Sequence, residues 1–464
     1  MNTRSSQRGA AALVVAMVLL FGMTLVAFFA NRTMIFEQRT SANQVRYTKA
    51  FEMADAGIEW ATARLNENLK LAANSCALAS GATLVSFRDR YMPSFSADAT
   101  HPTGWFSPVS TAYPGCQIDP SNGSFSCGCP AAGTATLAST DQPRFRVQFN
   151  AVTAGVNNPT TDYTAVEIIA RGCTSSDPCD PTQAVSASTD SSAIARVIVK
   201  IRPALPRQTG AGMVSGSTTV AGGSINVVNT DTKSNGITIN TGSTVDLNGS
   251  GTTVQTLPGT SPTASILDND PSLLKLTNAD STGELFFTSF FGEGFTDYRT
   301  NLLTKVITNT GVSNYANRTC SSDTDCARAV SYWVDRGATQ FWLAAATPGG
   351  PGVQFSNSNL PSIGTLGTAS KPILLATDGQ MIFSGGMTAY GVFYAATATA
   401  QDDATLGAGN ATIIGSLVSR GDFNRTGSGN LSIIYNGNLF GPTGPLTGIL
   451  VPLPGSWRDK ATAY

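Results

Sequence analysis

Charge is scarce in this chain. Asp, Glu, Lys and Arg make up 13% of 464 residues, the net charge is −1 and the pI is near 5.9. A soluble globular chain usually carries about 25%. No basic stripe is available, which argues against a nucleic-acid partner. Histidine is nearly absent: His101 stands alone. An HExxH site needs two histidines and is excluded, and a Ser-His-Asp triad would rest wholly on that one residue. Proline is missing before Pro93, and Gly57 is the only glycine between Gly22 and Gly81. Nothing in that stretch breaks a helix. The low charge is not the mark of disorder, because hydrophobic residues reach 41% and are spread evenly. The length suits two to four domains.

What is present begins at the N-terminus. Met1 to Arg8 is short, polar and basic. Gly9 to Ala30 is an uncharged run flanked by Arg8 and Arg32. As a helix it spans about 33 Å, enough for a bilayer core. The run is too long for a cleaved secretory signal, and Phe28 and Phe29 sit where that cleavage needs small residues. A plain signal anchor is the simple alternative. Beyond Arg32 the helical pattern continues. Phe51, Ala54, Ile58, Ala61, Leu65, Leu69 and Ala72 fall at steps of three and four residues, one face of a helix. We expect one helix over residues 10–72, about 90 Å long, with residues 10–30 transmembrane.

The segments QRGAAALVVAMVLL and AFEMADAGIEWATARL resemble the N-terminal region of PilX-type minor pilins of type IV pili. The resemblance covers roughly residues 7–70. It implies that residues 1–9 are a leader, and that a prepilin peptidase cuts between Gly9 and Ala10. Methylation of the new N-terminus goes with that processing. Most major pilins carry Glu at the fifth mature position, where it neutralises a neighbour's N-terminal amine in the apolar core. Here that position is Val14. An unpaired charge in such a core is costly, so a subunit without the carboxylate suits the start of a filament better than its shaft.

Residues 73–202 read as an α+β domain. Arg144–Phe149, Tyr163–Gly172 and Ser192–Ile201 are strand-like, the first and last partly alternating. Three strands after a long helix resemble the pilin plan, an antiparallel sheet over the helix; an unrelated α+β domain is the alternative. Pro203 and Pro206 mark a linker over residues 203–209. Residues 210–464 read as a β-rich C-terminal module. Short apolar runs recur there between Gly, Asn, Asp and Ser. That spacing favours a parallel β-helix over a β-sandwich. An aromatic, helix-like insertion covers about 271–345.

The eight cysteines point to an oxidising compartment. Cys173 and Cys179, and Cys320 and Cys326, each enclose five mostly polar residues, which suits loop disulfides better than zinc. Cys127 and Cys129 are too close to join each other comfortably. Each needs a partner elsewhere, with Cys76 and Cys116 as candidates and the connectivity open. Asp268 with Asp270, and Asp323 with Asp325, offer calcium oxygens, but neither pair has the EF-hand spacing. We expect solvated turns there, with structural calcium as the lesser reading and no other cofactor or metal. Arg420-Gly421-Asp422 reads as turn chemistry rather than a receptor tripeptide. From Lys371 to Phe440 the charged residues are few and sit mostly at turns, and the adjacent Asp402 and Asp403 would point to opposite faces of a strand. No catalytic pair is expected, and the chain is not read as an enzyme.

The resemblance thus implies a minor pilin in the inner membrane before assembly and in the cell-surface filament afterwards. It would act at or near the tip in assembly initiation and adhesion. Its partners would be other minor and major pilins, the prepilin peptidase and a large tip adhesin. The alternatives are a K-like pseudopilin of type II secretion and a membrane-anchored surface protein with a glycan-binding β-helix.

Overall fold

The computed structural model describes residues 7–93, 107–119, 121–137, 142–154, 160–174, 179–182, 192–220, 224–247, 251–358, 360, 364–396, 404–405, 410–424, 429–440 and 448–459. His101, Asp402 and Asp403 lie outside them.

The first helix, α1, runs Gln7–Leu65 without interruption. It stops at Leu65 and not at 72. Asn68 takes a φ of 52°, and this left-handed step ends the helical path. Leu69 then enters a different core from the rest of the helix face. On α1, Ala50, Met53, Ala54, Ile58, Ala61 and Leu65 are buried. They pack on an antiparallel six-stranded sheet whose spatial order is Ile449–Pro452, Ser192–Arg202, Thr160–Cys173, Arg144–Ala154, Gly115–Ile118 and Phe125–Gly128. A short helix, α2 (Phe87–Tyr91), closes one end. Its first turn is capped by the Ser86 hydroxyl, and Phe87 and Tyr91 are buried with Trp60 and Phe149 alongside.

The strand Ile449–Pro452 corrects the expected boundary. The C-terminal module does not extend to 464. The chain leaves the sheet after Arg202, builds the module, and returns to pair Leu450 with Ile201. The module is thus inserted between two neighbouring strands of one sheet. The expected linker 203–209 is exposed at Pro206, Arg207 and Gln208 but anchored before them. Ala204 and Leu205 are buried in an aromatic cluster with Phe286, Phe287 and Tyr298.

Throughout the inserted module the strand pairs are parallel and nearly all in simple register. The chain lays short strands in turn on three ladders. Met213–Ser215, Thr219–Val220 and Ser224–Val228 form one such circuit. Ile239–Thr241, Val245–Asp246 and Thr253–Gln255 form the next, each above its predecessor. Inward residues such as Ile225, Ile413, Ile433 and Phe393 fill a continuous core. At two corners the chain turns through Gly391 and Gly415, with φ of 139° and 146°. They stack in register. A Cβ on Gly415 would collide with the Gly391 carbonyl, so only glycine fits.

The circuits are not stacked in chain order. Ile239–Thr241 pairs with Ile266–Leu267 at one end of the ladder. The chain then descends outside the stack as α3 (Pro271–Asn278), α4 (Glu284–Phe291) and α5 (Phe295–Thr300). It restarts at the opposite end with Thr304–Asn309 and climbs back until Leu417 sits beside Met213. The helical insertion is therefore shorter than the expected 271–345. Thr304–Asn309 and Gln340–Ala344 are members of the ladder, with Ile307, Phe341 and Leu343 buried in its core. Between them α6 (Asp323–Asp335) contributes Cys326, Ala327, Ala329 and Val330 to the same core.

Candidate assembly helix and its attachment

Residues 11–42 of α1 are exposed on every side, including Leu13, Val14, Leu20, Phe21 and Phe28. Gly9 and Ala10 lie in the first turns of the helix. The stretch from Gly9 to Asn31 has no charged residue. Its hydroxyls are spoken for: Thr24 donates to the Phe21 carbonyl at 2.8 Å, and Thr33 to the Phe29 carbonyl at 2.9 Å. Such an uncharged surface, with its backbone groups paired within the helix, suits lipid or another apolar helix. By length and composition α1 can cross a membrane.

The other half of α1 is held by close approach. Ala50, Ala54, Gly57 and Ala61 recur at four, three and four residues, a stripe of small side chains on one face. A Cβ on Gly172 would strike the Ala50 carbonyl and the Ala54 amide. A Cβ on Gly57 would press on Ala170 and the Phe145 ring. The helix axis therefore lies against the strand Thr160–Cys173 with almost no side chain between them. The motif A-F-E-M-A-D-A-G-I-E encodes this contact, with Glu52 and Glu59 exposed on the opposite side.

The end of α1 is tied by polar groups. Arg88 is 2% exposed. Its guanidinium donates to the carbonyls of Leu65 at 2.8 Å and Gly448 at 3.0 Å. Burial lowers its pKa to about 10. Asn66 both donates to and accepts from Leu450. The loop that follows joins the module. The Lys70 amide donates to the Arg336 carbonyl at 2.8 Å, and the Lys70 ammonium to the Asp335 carbonyl at 2.7 Å. Lys371 pairs with Asp89 across the same junction. Burial works against the Asp89 charge, but the Lys371 ammonium and its hydrogen bond outweigh it and hold that carboxyl below its ordinary value. Sequence reasoning missed Arg88, Asn66 and Gly172 as attachment points. Only Gly172, a glycine closing a strand-like run, carried any signal.

The cysteines join as Cys76–Cys129, Cys116–Cys127, Cys173–Cys179 and Cys320–Cys326. Cys116–Cys127 staples the edge strand Phe125–Gly128 to its neighbour Gly115–Ile118, and Cys320–Cys326 fastens α6 to the ladder. Asp270 caps α3, accepting from the Ser272 amide. Asp325 accepts from the Tyr315 hydroxyl and the Ser321 amide. Asp323 begins α6 and accepts from the Thr324 amide, and Asp268 is exposed. Among the described residues no three His, Cys, Asp or Glu side chains gather as a metal site. Arg420 is 3% exposed and donates to the Asp280 carbonyl, and Asp422 accepts from the Thr218 amide. Residues 420–422 thus serve the seam between circuits.

The chain is thus an α+β protein whose long first helix is half bare and half clamped by a sheet. Residues 8–59 match the family model described as PilX N-terminal. Over these residues the chain is similar to the N-terminal region of PilX-type minor pilins of type IV pili. No curated protein and no solved structure matches the chain.

Proposed function

We propose that the protein is a type IV minor pilin that enters at or near the filament tip, helps to initiate assembly, and displays its inserted module as a binding unit. The observation that carries this reading is the bare, uncharged first half of α1 with Val14 in place of a carboxylate. Burial of that surface against other pilin helices is the driving term. Without the carboxylate the subunit makes no charge pair with a neighbour's amine, which favours an end over the shaft. In this reading the peptidase cuts between Gly9 and Ala10, and the six-stranded sheet is the pilin sheet. The inserted module is a parallel β-helix, supported by its three parallel ladders. The role is assembly and binding, not catalysis, and needs no cofactor. A large tip adhesin is a candidate partner for the module.

Immunogold labelling of sheared filaments tests the placement. Label at filament ends is expected. Uniform label along the shaft would overturn it. Absence from pili together with a secretion defect on deletion would favour a K-like pseudopilin.

A further inference from the structure

One outer face of the inserted module carries two columns that run up the stack. Strict register places Thr365 beside Thr388, Thr388 beside Thr412, Thr412 beside Ser432, Ser432 beside Asn226, and Asn226 beside Thr253. These side chains alternate with the buried Ala389, Ile413 and Leu431 and so point outward. Six strands about 4.8 Å apart make a polar column about 24 Å tall. At its upper end the Thr253 hydroxyl donates to the Asn226 side-chain carbonyl at 2.8 Å, and the Asn226 amide donates to Ser432 at 3.3 Å. Two residues further along four of these strands lies an apolar column: Tyr390, Ile414, Ile434 and Val228, stacked in the same register. These side chains are half-exposed, and Ile434 is 36% exposed. None of the strands on this face has a charged residue.

The polar column leads at its foot into a crevice of about 580 Å³ between the module and the first domain, lined in part by Thr365, Thr368, Thr339, Ser80, Lys70 and Lys371. Its two ammonium groups are engaged by the Asp335 carbonyl and by Asp89. Asp335 lines the crevice as well, so its two cations are matched by Asp335 and Asp89 and no surplus positive charge is left to hold an anion.

We propose that this face binds a neutral, extended, β-1,4-linked polysaccharide laid along the stack. An extended pyranose chain advances by nearly one strand spacing per sugar, so each ring meets one rung. A pyranose is apolar on its ring face and hydroxylated at its rim. The apolar column takes the ring face, with Tyr390 as the aromatic platform, and the adjacent hydroxyl column exchanges hydrogen bonds with the rim. The uncharged strands select against acidic glycans, which would lose hydration with no cation to replace it. The inference deepens the reading of the module as a binding unit without depending on where in a filament the subunit sits.

The test is retention of the full chain, in detergent micelles, on microcrystalline cellulose and on chitin, with heparin-agarose as the charged control. Retention on a neutral matrix and not on heparin is expected. Thr412→Lys, in mid-column, should weaken retention at least about tenfold, and Thr412→Val, which keeps the shape, by a smaller factor. Circular dichroism identical to that of the unaltered protein certifies the fold of each variant. The proposal is overturned by failure to bind either neutral matrix, by preference for heparin, or by a folded Thr412→Lys variant that binds as before. Concentration-dependent self-association abolished by Thr412→Lys, without glycan retention, would assign the face to a second copy instead. None of these results bears on filament labelling, so failure here and failure of the tip placement are separable.

Discussion

Asn66 and Leu450, 384 residues apart, hold each other by both backbone groups: the Asn66 amide donates to the Leu450 carbonyl at 2.9 Å, and the Leu450 N–H donates to the Asn66 side-chain oxygen at 2.7 Å. The residue just past the end of α1 is thus locked to the strand Ile449–Pro452, which returns to the first sheet. Everything between Arg202 and Ile449 must be made before this lock can close.

Asn66→Leu removes the donor to the Leu450 carbonyl and the acceptor of the Leu450 N–H and of the Arg88 guanidinium, at a residue that is 7% exposed. We expect a loss of about 1–3 kcal/mol, read as a lower thermal midpoint of the protein in detergent. Ending the chain at residue 447 should cost more, because Arg88 loses the Gly448 carbonyl and the strand Ser192–Arg202 becomes a bare edge. An unchanged midpoint for Asn66→Leu would show that the pair does not hold the helix end.

Gly172→Ala tests the close approach of α1 and the sheet. Its Cβ would meet only the backbone of α1, at Ala50, Met53 and Ala54, with no flexible side chain to yield. A penalty of about 1–3 kcal/mol or more is expected from overpacking. The helix over residues 11–42 should be unaffected, because that half of α1 does not touch the sheet. Protease accessibility near Ala50 should rise. A midpoint like that of the unaltered protein would refute the packing.

Asp280 sets a pH prediction. Its carboxylate accepts from the Thr282 hydroxyl and amide and from the Leu285 amide at the start of α4. These bonds lower its pKa from 3.8 to about 2. The folded value is depressed, so the stabilisation is present above the ordinary value and is lost as pH falls from about 4 to about 2. The group is half-exposed and solvent screening keeps the effect small. Asp280→Asn should flatten the fall in thermal midpoint over that window while changing little near neutral pH. An identical acid slope would contradict the assignment.

Local structure was legible where local residues decide it. The spacing of Ala54, Ile58, Ala61 and Leu65 marks the buried face of α1, and the alternation in Arg144–Phe149 marks a half-buried strand. Short apolar runs between Gly and Asn point to parallel ladders because each inward residue needs a polar turn after it. Long-range decisions were not legible. Nothing in Ile449–Pro452 says that it pairs with a strand some 250 residues earlier, and nothing in Met213 says that its circuit rests on Leu417. Such choices follow from which edges remain open when the rest has folded. The extent of α1 was overread because Leu69 continues the helical spacing, yet it serves the module's core. The small residues Ala50, Ala54 and Gly57 were visible, but the glycine that receives them, Gly172, sits on another element and its role needed the fold.

The central claim is that α1 is the assembly helix of a processed minor pilin. Mass spectrometry of the N-terminal peptide of the protein recovered from sheared filaments tests it most directly. The account predicts a chain beginning at Ala10, methylated on its amine. A chain that still begins at Met1, or protein absent from the filament fraction altogether, would contradict it.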